Sequence, residues 1–129
     1  MNVLVDTHVF LWYIFADSRL PTIWRDFIQA SEDKVFLSVI SIWECMIKAS
    51  LGKLDIQRPW YDFIEKHAEI SGFEILPLSS GELRHLEGLP AIHKDPFDRI
   101  LICQAIENNL YLMTDDNQIR LYQINLFNS

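Results

Sequence analysis

Cysteine is nearly absent from this chain of 129 residues: there are only Cys45 and Cys103, and both lie inside apolar segments. That excludes a disulfide framework and leaves buried thiols in a reducing compartment as the expectation. Positive charge is also scarce. Eleven Lys and Arg stand against eighteen Asp and Glu, a net charge of −7. The long-range field therefore opposes non-specific binding to nucleic acid, and a polyanionic substrate needs a local cation to approach. Hydrophobic runs are short. The N-terminal stretch MNVLVDTHVFLWYIF is interrupted by Asp6 and His8 and is framed by neither a basic region nor a small-residue cleavage site, so it reads as part of a cytoplasmic protein without a membrane segment. Low-complexity tracts, repeats and linker-like stretches are missing too. Residues 1–129 therefore read as one domain, large enough to bury about two-thirds of its unfolded surface.

What is present is an alternation of two patterns. Short apolar, β-branched runs predict strands at NVLV, VFLSVI (35–40), FEILPL (73–78) and YLMT (111–114), with YQINLF a weaker fifth. Between them LPTIWRDFIQAS, SIWECMIKASLGK, PWYDFIEKHAEISG and PFDRILICQAIENN carry helical spacing, and Gly52 and Gly72 stand where helices should stop. Continuous rather than alternating apolar strands, separated by helices, predict a parallel sheet covered on both faces, an α/β sandwich. In that architecture ligands sit at the carboxyl ends of the strands.

Acidic residues gather at those ends. Asp6 closes the first strand, Glu44 lies on the first turn after the second, and Asp115 and Asp116 follow the fourth. Asp95 and Asp98 open the helix leading into that fourth strand, so they should face the same rim. Each has a local explanation. Ser41 and Glu44 fit a capping box. Asp95-Pro96 fits an N-cap followed by proline, with Asp98 in the first turn facing the positive end of the dipole. Asp115 fits a cap for a short helix NQIRLY, and Asp6 fits a turn at the strand end.

The set says more than its members. Asp6 and Glu44 are flanked by apolar residues, and grouped carboxylates drawn out of water repel one another until a proton or a cation neutralises them. Oxygen donors select hard cations such as Mg²⁺ or Mn²⁺. Zinc would call for His or Cys, and His8, His67, His85 and His93 show no paired ligand spacing. A carboxylate-held divalent ion suits phosphodiester hydrolysis, and it also lets phosphate approach an acidic protein.

The segments LVDTHVFLW, SIWECMIKASLGKL, LPAIHKDPFDRILICQA and LYLMTDDNQIRLY, in that order, resemble the PIN-domain family and in particular the VapC-type toxins of toxin-antitoxin pairs. The resemblance spans the chain. It implies a three-layer α/β/α fold around a mainly parallel sheet of four to five strands, and a metal-dependent endoribonuclease. It further implies that Asp6, Glu44, Asp98 and Asp116 are catalytic and hold one or two Mg²⁺ or Mn²⁺ ions. Thr114 heads the family's T-x-D pattern, in which Asp115 takes the variable middle position. Asp95 is read as an N-cap that reaches a metal through water. An antitoxin partner and a homodimer are implied as well.

Arg99 is a candidate phosphate contact or carboxylate partner. Ser38 or Ser41 could orient Glu44 or a water, with Ser41 also readable as a plain cap. Trp12 and Trp60 are the tryptophans expected at the surface, and Lys48, Lys53, Lys94, Arg58 and Arg99 are the cations available to an RNA backbone. Two other classes remain. A catalytically idle PIN-like binding module should show a broken acid set, whereas here it is complete. A receiver-like phospho-acceptor should carry a lysine after the last strand, and none follows YLMT. An aspartyl phosphatase wants D-x-D in the first loop, where His8 stands in the second acid's place.

Overall fold

The computed structural model describes residues 1–30 and 32–127. Four strands, β1 (Val3–Val5), β2 (Val35–Ser38), β3 (Glu74–Leu76) and β4 (Tyr111–Met113), form one sheet in the order β3-β2-β1-β4. Every pairing is parallel. Five α-helices accompany them among the described residues: α1 (Thr7–Ile14), α2 (Thr22–Ala30), α3 (Val39–Ser50), α4 (Trp60–Ile70) and α5 (Pro96–Glu107). The expected fifth strand contributes a single parallel bridge, Leu112 to Leu126.

Alternation along the strands splits the core in two. Val3 and Val5 of β1 join Val9, Phe10, Trp24, Ile28, Ile64 and Ala68 on one face, where α2 and α4 pack. Leu4, between them, points the other way to Leu101, Ile102, Ala105, Leu112 and Ile119, under α5. The period of two in a strand thus separates two apolar layers with the sheet between them, a three-layer α/β/α sandwich. Cys45 and Cys103 are buried and free. Gly52 and Gly72 follow α3 and α4 with φ of 73° and 80°, left-handed conformations that glycine adopts at little cost.

Three local expectations are corrected. The run VFLSVI is not one strand: it turns into α3 after Ser38, whose hydroxyl accepts the Ile40 amide as N-cap. Ser41 and Glu44 therefore form no capping box and lie inside α3. Helix α1 carries no clear helical period in its run of large apolar residues. It forms because Asp6 ends β1 and accepts the Val9 amide at 2.8 Å, capping a helix rather than closing a turn. The short helix near the end is a 3₁₀ turn, Ile119–Leu121. Its amide acceptor is Asp116, which takes Gln118 N and Ile119 N at 2.8 and 2.9 Å, in place of Asp115.

Candidate metal centre

Strand register alone brings the first residues together. Val5 pairs with Leu37 on one side and with Met113 on the other, so Asp6, Ser38 and Thr114 emerge side by side from the carboxyl edge. Thr114, fully buried, donates its hydroxyl proton to Asp6 Oδ2. Its oxygen accepts the Asp116 amide at 3.0 Å, which holds the chain after β4 against β1.

Helix α3 then lifts Glu44 to the rim. The carboxylate is only 7% exposed, and both of its oxygens are engaged. Thr7 Oγ1 lies 2.7 Å from Oε1 and 2.9 Å from Ser41 Oγ. A hydroxyl has one proton, so Thr7 gives it to the carboxylate and accepts from Ser41. Lys48, one helical turn on, meets Oε2 at 3.2 Å. Lys48 is therefore a partner of Glu44.

Helix α5 supplies the third side. Asp95 is its N-cap and accepts the Phe97 amide at 2.8 Å and the Asp98 amide at 3.4 Å, with Pro96 in the first turn. Asp98, three residues on, turns into the cleft and meets His93 Nε2 at 2.9 Å, while Asp116 Oδ2 lies 3.3 Å from the same nitrogen. The ligand atoms of His93, Asp98 and Asp116 all lie within 4.8 Å of one another.

Burial and mutual repulsion leave a mark on these acids. The Asp98 carboxyl is pushed up to about 7, first by its removal from water and then by the Asp95 and Glu44 charges. Burial also raises Asp6, against the Thr114 and Val9 hydrogen bonds that hold it down. Asp116 moves the other way: burial acts to raise it, but the Ile119 amide, His93 and the Gln118 amide prevail. One rim thus carries acids that resist ionising together, alongside one already stabilised as an anion.

The oxygen donors of this rim suit a hard divalent cation, which would relieve the repulsion that raises Asp98. Among the described residues Asp98 and Asp116, with His93, are the groups whose ligand atoms stand close enough to surround one ion, and Asp6 and Glu44 lie outside that trio. Beside the acids, Asp6, His8, Trp12, Arg19, Asp115 and Asp116 line an open depression of about 230 Å³. The Arg19 guanidinium lies 5.3 Å from the Trp12 ring centre and is held by Asp17 at 2.7 Å.

Several residues sit elsewhere than expected. Arg99 binds no carboxylate among its described contacts: its Nη1 donates to the carbonyls of Pro90 and His93 at 3.0 and 3.3 Å, tying the loop before α5 to that helix. Asp115 is exposed beside the cleft, and Asp116 is the neighbour joined to His93. Trp43 is the exposed tryptophan at 57%, whereas Trp12 and Trp60 are half-buried. Thr7 and His93 are the participants whose part sequence reasoning missed. Thr7 was signalled only by following the strand-end acid, and His93 only by standing just ahead of the D-P-F-D-R segment.

An acid-lined rim at the carboxyl edge of a parallel sheet, in three layers, is the class that fold and site define together. The sequence matches the PIN domain over residues 3–125, and the chain belongs to that family. The fold is similar to that of solved structures at low identity. VapBC2 from Rickettsia felis, bound to a DNA fragment from their promoter, is 18% identical with a TM-score of 0.64, over 98% of this chain and 96% of that one. VapBC-1 from nontypeable Haemophilus influenzae is 20% identical with a TM-score of 0.66, over 93% and 90%. FitAcB from Neisseria gonorrhoeae is 18% identical with a TM-score of 0.65, over 98% and 96%. A search of the curated proteins finds no match.

Proposed function

We propose that this PIN-domain protein is a metal-dependent endoribonuclease, the toxin of a VapBC-type toxin-antitoxin pair, acting in the cytoplasm as a single domain over residues 1–129. The observation that carries the reading is the delivery of four carboxylates from four segments to one poorly solvated rim, with the burial of Asp6 and Asp98 raising both. Asp6, Glu44, Asp98 and Asp116 are the catalytic residues and would hold one or two Mg²⁺ or Mn²⁺ ions, with Asp95 as a cap that reaches an ion through water. When bound, such an ion supplies Lewis-acid polarisation of the phosphodiester and activation of water.

The chain's own groups set the geometry of the site. Thr114 and the Val9 amide orient the two oxygens of Asp6. Thr7 and Lys48 aim the Glu44 carboxylate, which serves as ligand and as proton acceptor for water. The Gln118 and Ile119 amides fix Asp116 Oδ1 and leave Oδ2 toward the cleft.

RNA is favoured over duplex DNA because the adjoining depression offers flat faces. Trp12 with Arg19 over its ring, and His8 with its ring centre 6.2 Å from that of Trp12, suit an unpaired base laid beside the scissile phosphate. An antitoxin partner is supported by the likeness to the VapBC and FitAcB structures. A homodimer is the assembly proposed, and sedimentation that returns a monomer at high concentration would remove it.

The test is cleavage of an end-labelled cellular RNA pool with Mg²⁺ or Mn²⁺, against chelator and against Asp98→Asn. Cuts that need both the metal and Asp98 support the reading. No metal binding and no cutting would favour an idle PIN-like binding module, and metal-independent cutting would remove the acids from the chemistry.

A further inference from the structure

His93 stands between two of the acids, and none of the roles above belongs to it. Its Nε2 is 2.9 Å from Asp98 Oδ2 and 3.3 Å from Asp116 Oδ2, and the three groups lie close enough together to surround one ion. The bare distances suggest a mixed ligand set of one nitrogen and two oxygens. The other side of the ring argues against it.

Nδ1 accepts the backbone amide of Asp95 at 3.1 Å. A nitrogen that accepts a hydrogen bond presents its lone pair, so the ring proton resides on Nε2. A protonated Nε2 has no lone pair for a metal; it can only donate. We propose that His93 is a positioning residue, whose fixed Nε2–H is hydrogen-bonded to Asp116 beyond β4 and lies against Asp98 of α5, so that it clamps the two acids at one spacing, and that it is not a ligand of the ion. This rests on the reading of those acids as metal ligands.

The clamp is held on every side. The His93 amide donates to Tyr122 Oη at 2.9 Å, and the Tyr122 hydroxyl spends its own proton on the Pro90 carbonyl at 2.7 Å. Arg99 Nη1 takes the His93 carbonyl at 3.3 Å. Asp95, whose amide sets the tautomer, is also the residue that caps α5, so the turn that starts the helix also orients the ring.

Donation to the acids leaves them room for an ion. A carboxylate has about four acceptor positions. The Gln118 and Ile119 amides and His93 take three of those on Asp116, and Asp98 Oδ2 lies against the same His93 nitrogen at 2.9 Å. Each acid keeps a free lone pair. Two carboxyl groups from separate elements are thus held at one spacing before any cation arrives.

The test compares wild type, His93→Gln and His93→Ala by calorimetric titration of Mg²⁺ and Mn²⁺, with ¹⁵N spectra of the wild-type imidazole in the presence and absence of Mg²⁺. Glutamine keeps an N–H donor near the Nε2 position and is a poor nitrogen ligand. The expectation is a loss of about 10–100-fold in affinity for His93→Ala, retention of most of it for His93→Gln, and an Nε2–H signal that persists when Mg²⁺ is bound. Equal weakness in the two variants, or loss of the Nε2 proton on loading, would make His93 a ligand and overturn the clamp. Unchanged affinity in His93→Ala would make it a bystander. Should wild type itself take up neither ion, the metal reading of the acids falls first and the clamp with it. If His93→Ala does not fold, the glutamine variant and the wild-type spectra still decide the point.

Discussion

Replacing Asp98 by asparagine should make the metal-free protein more stable at pH 8, although it removes a proposed catalytic group. The folded chain moves this carboxyl from 3.8 to about 7, chiefly by taking it out of water. Three units correspond to about 4 kcal/mol at about 1.4 kcal/mol per unit. Water reaching the open cleft and coupling among the neighbouring acids reduce the realised penalty to roughly 2 kcal/mol. The sign follows from proton uptake. Between about pH 4 and pH 7 the folded chain binds the Asp98 proton more tightly than the unfolded chain does, so this contribution is present at low pH and is lost as pH rises through that window. Asparagine does not titrate, and its amide oxygen can still lie against His93. Thermal melts in chelator should therefore converge below about pH 3.5 and separate at pH 8, with the variant higher by roughly 6–10 °C for a chain of this size. Saturating Mg²⁺ or Mn²⁺ should raise the wild type toward the variant and move the variant little. A variant less stable than wild type at pH 8 in chelator would refute the reasoning, because ionised Asp98 would then stabilise the fold on balance instead of straining it.

The neighbouring aspartate should behave differently. Asp95→Asn keeps a capping side chain and should cost a few tenths of a kcal/mol, whereas Asp95→Ala should cost about 1 kcal/mol in denaturant melts; cleavage should survive the asparagine change far better than in Asp98→Asn. Trp12→Ala should weaken binding of a single-stranded oligonucleotide by about 1–3 kcal/mol, measured with the Asp98→Asn protein to prevent turnover, and an unaltered dissociation constant would remove the base-stacking role. Cys45, whose thiol burial pushes up to about 12, should resist a thiol reagent at pH 8 until the chain is unfolded; rapid labelling of the native protein would show the site is accessible.

Much of the architecture was readable from local pattern, because buried parallel strands must be continuously apolar and the helices between them must carry a periodic stripe. The runs at 35–40 and 73–78 marked their strands while overrunning the observed ends. What misled was chemistry that works equally well in two places. Ser38 and Ser41 are both hydroxyls ahead of an apolar helix, and only the point where β2 leaves the sheet decides that Ser38 caps and Ser41 is buried against Thr7. Asp115 and Asp116 are likewise interchangeable in sequence. The Thr114 hydroxyl, bound to Asp6 and to the Asp116 amide, sets which of them turns inward.

The sequence by itself determined the strand-and-helix alternation, the Asp95 cap and the acids to suspect, since each depends on neighbours within a few residues. Tertiary structure alone decided what the acids face. Pairing of β1 with β4 sets Asp6 beside Thr114 across 108 positions of sequence, packing of α1 on α3 sets Thr7 on Glu44, and the loop before α5 sets His93 between Asp98 and Asp116. Hydrogen bonds and charge repulsion act over a few ångströms, and separation along the chain carries no record of which distant groups the fold will bring within that range.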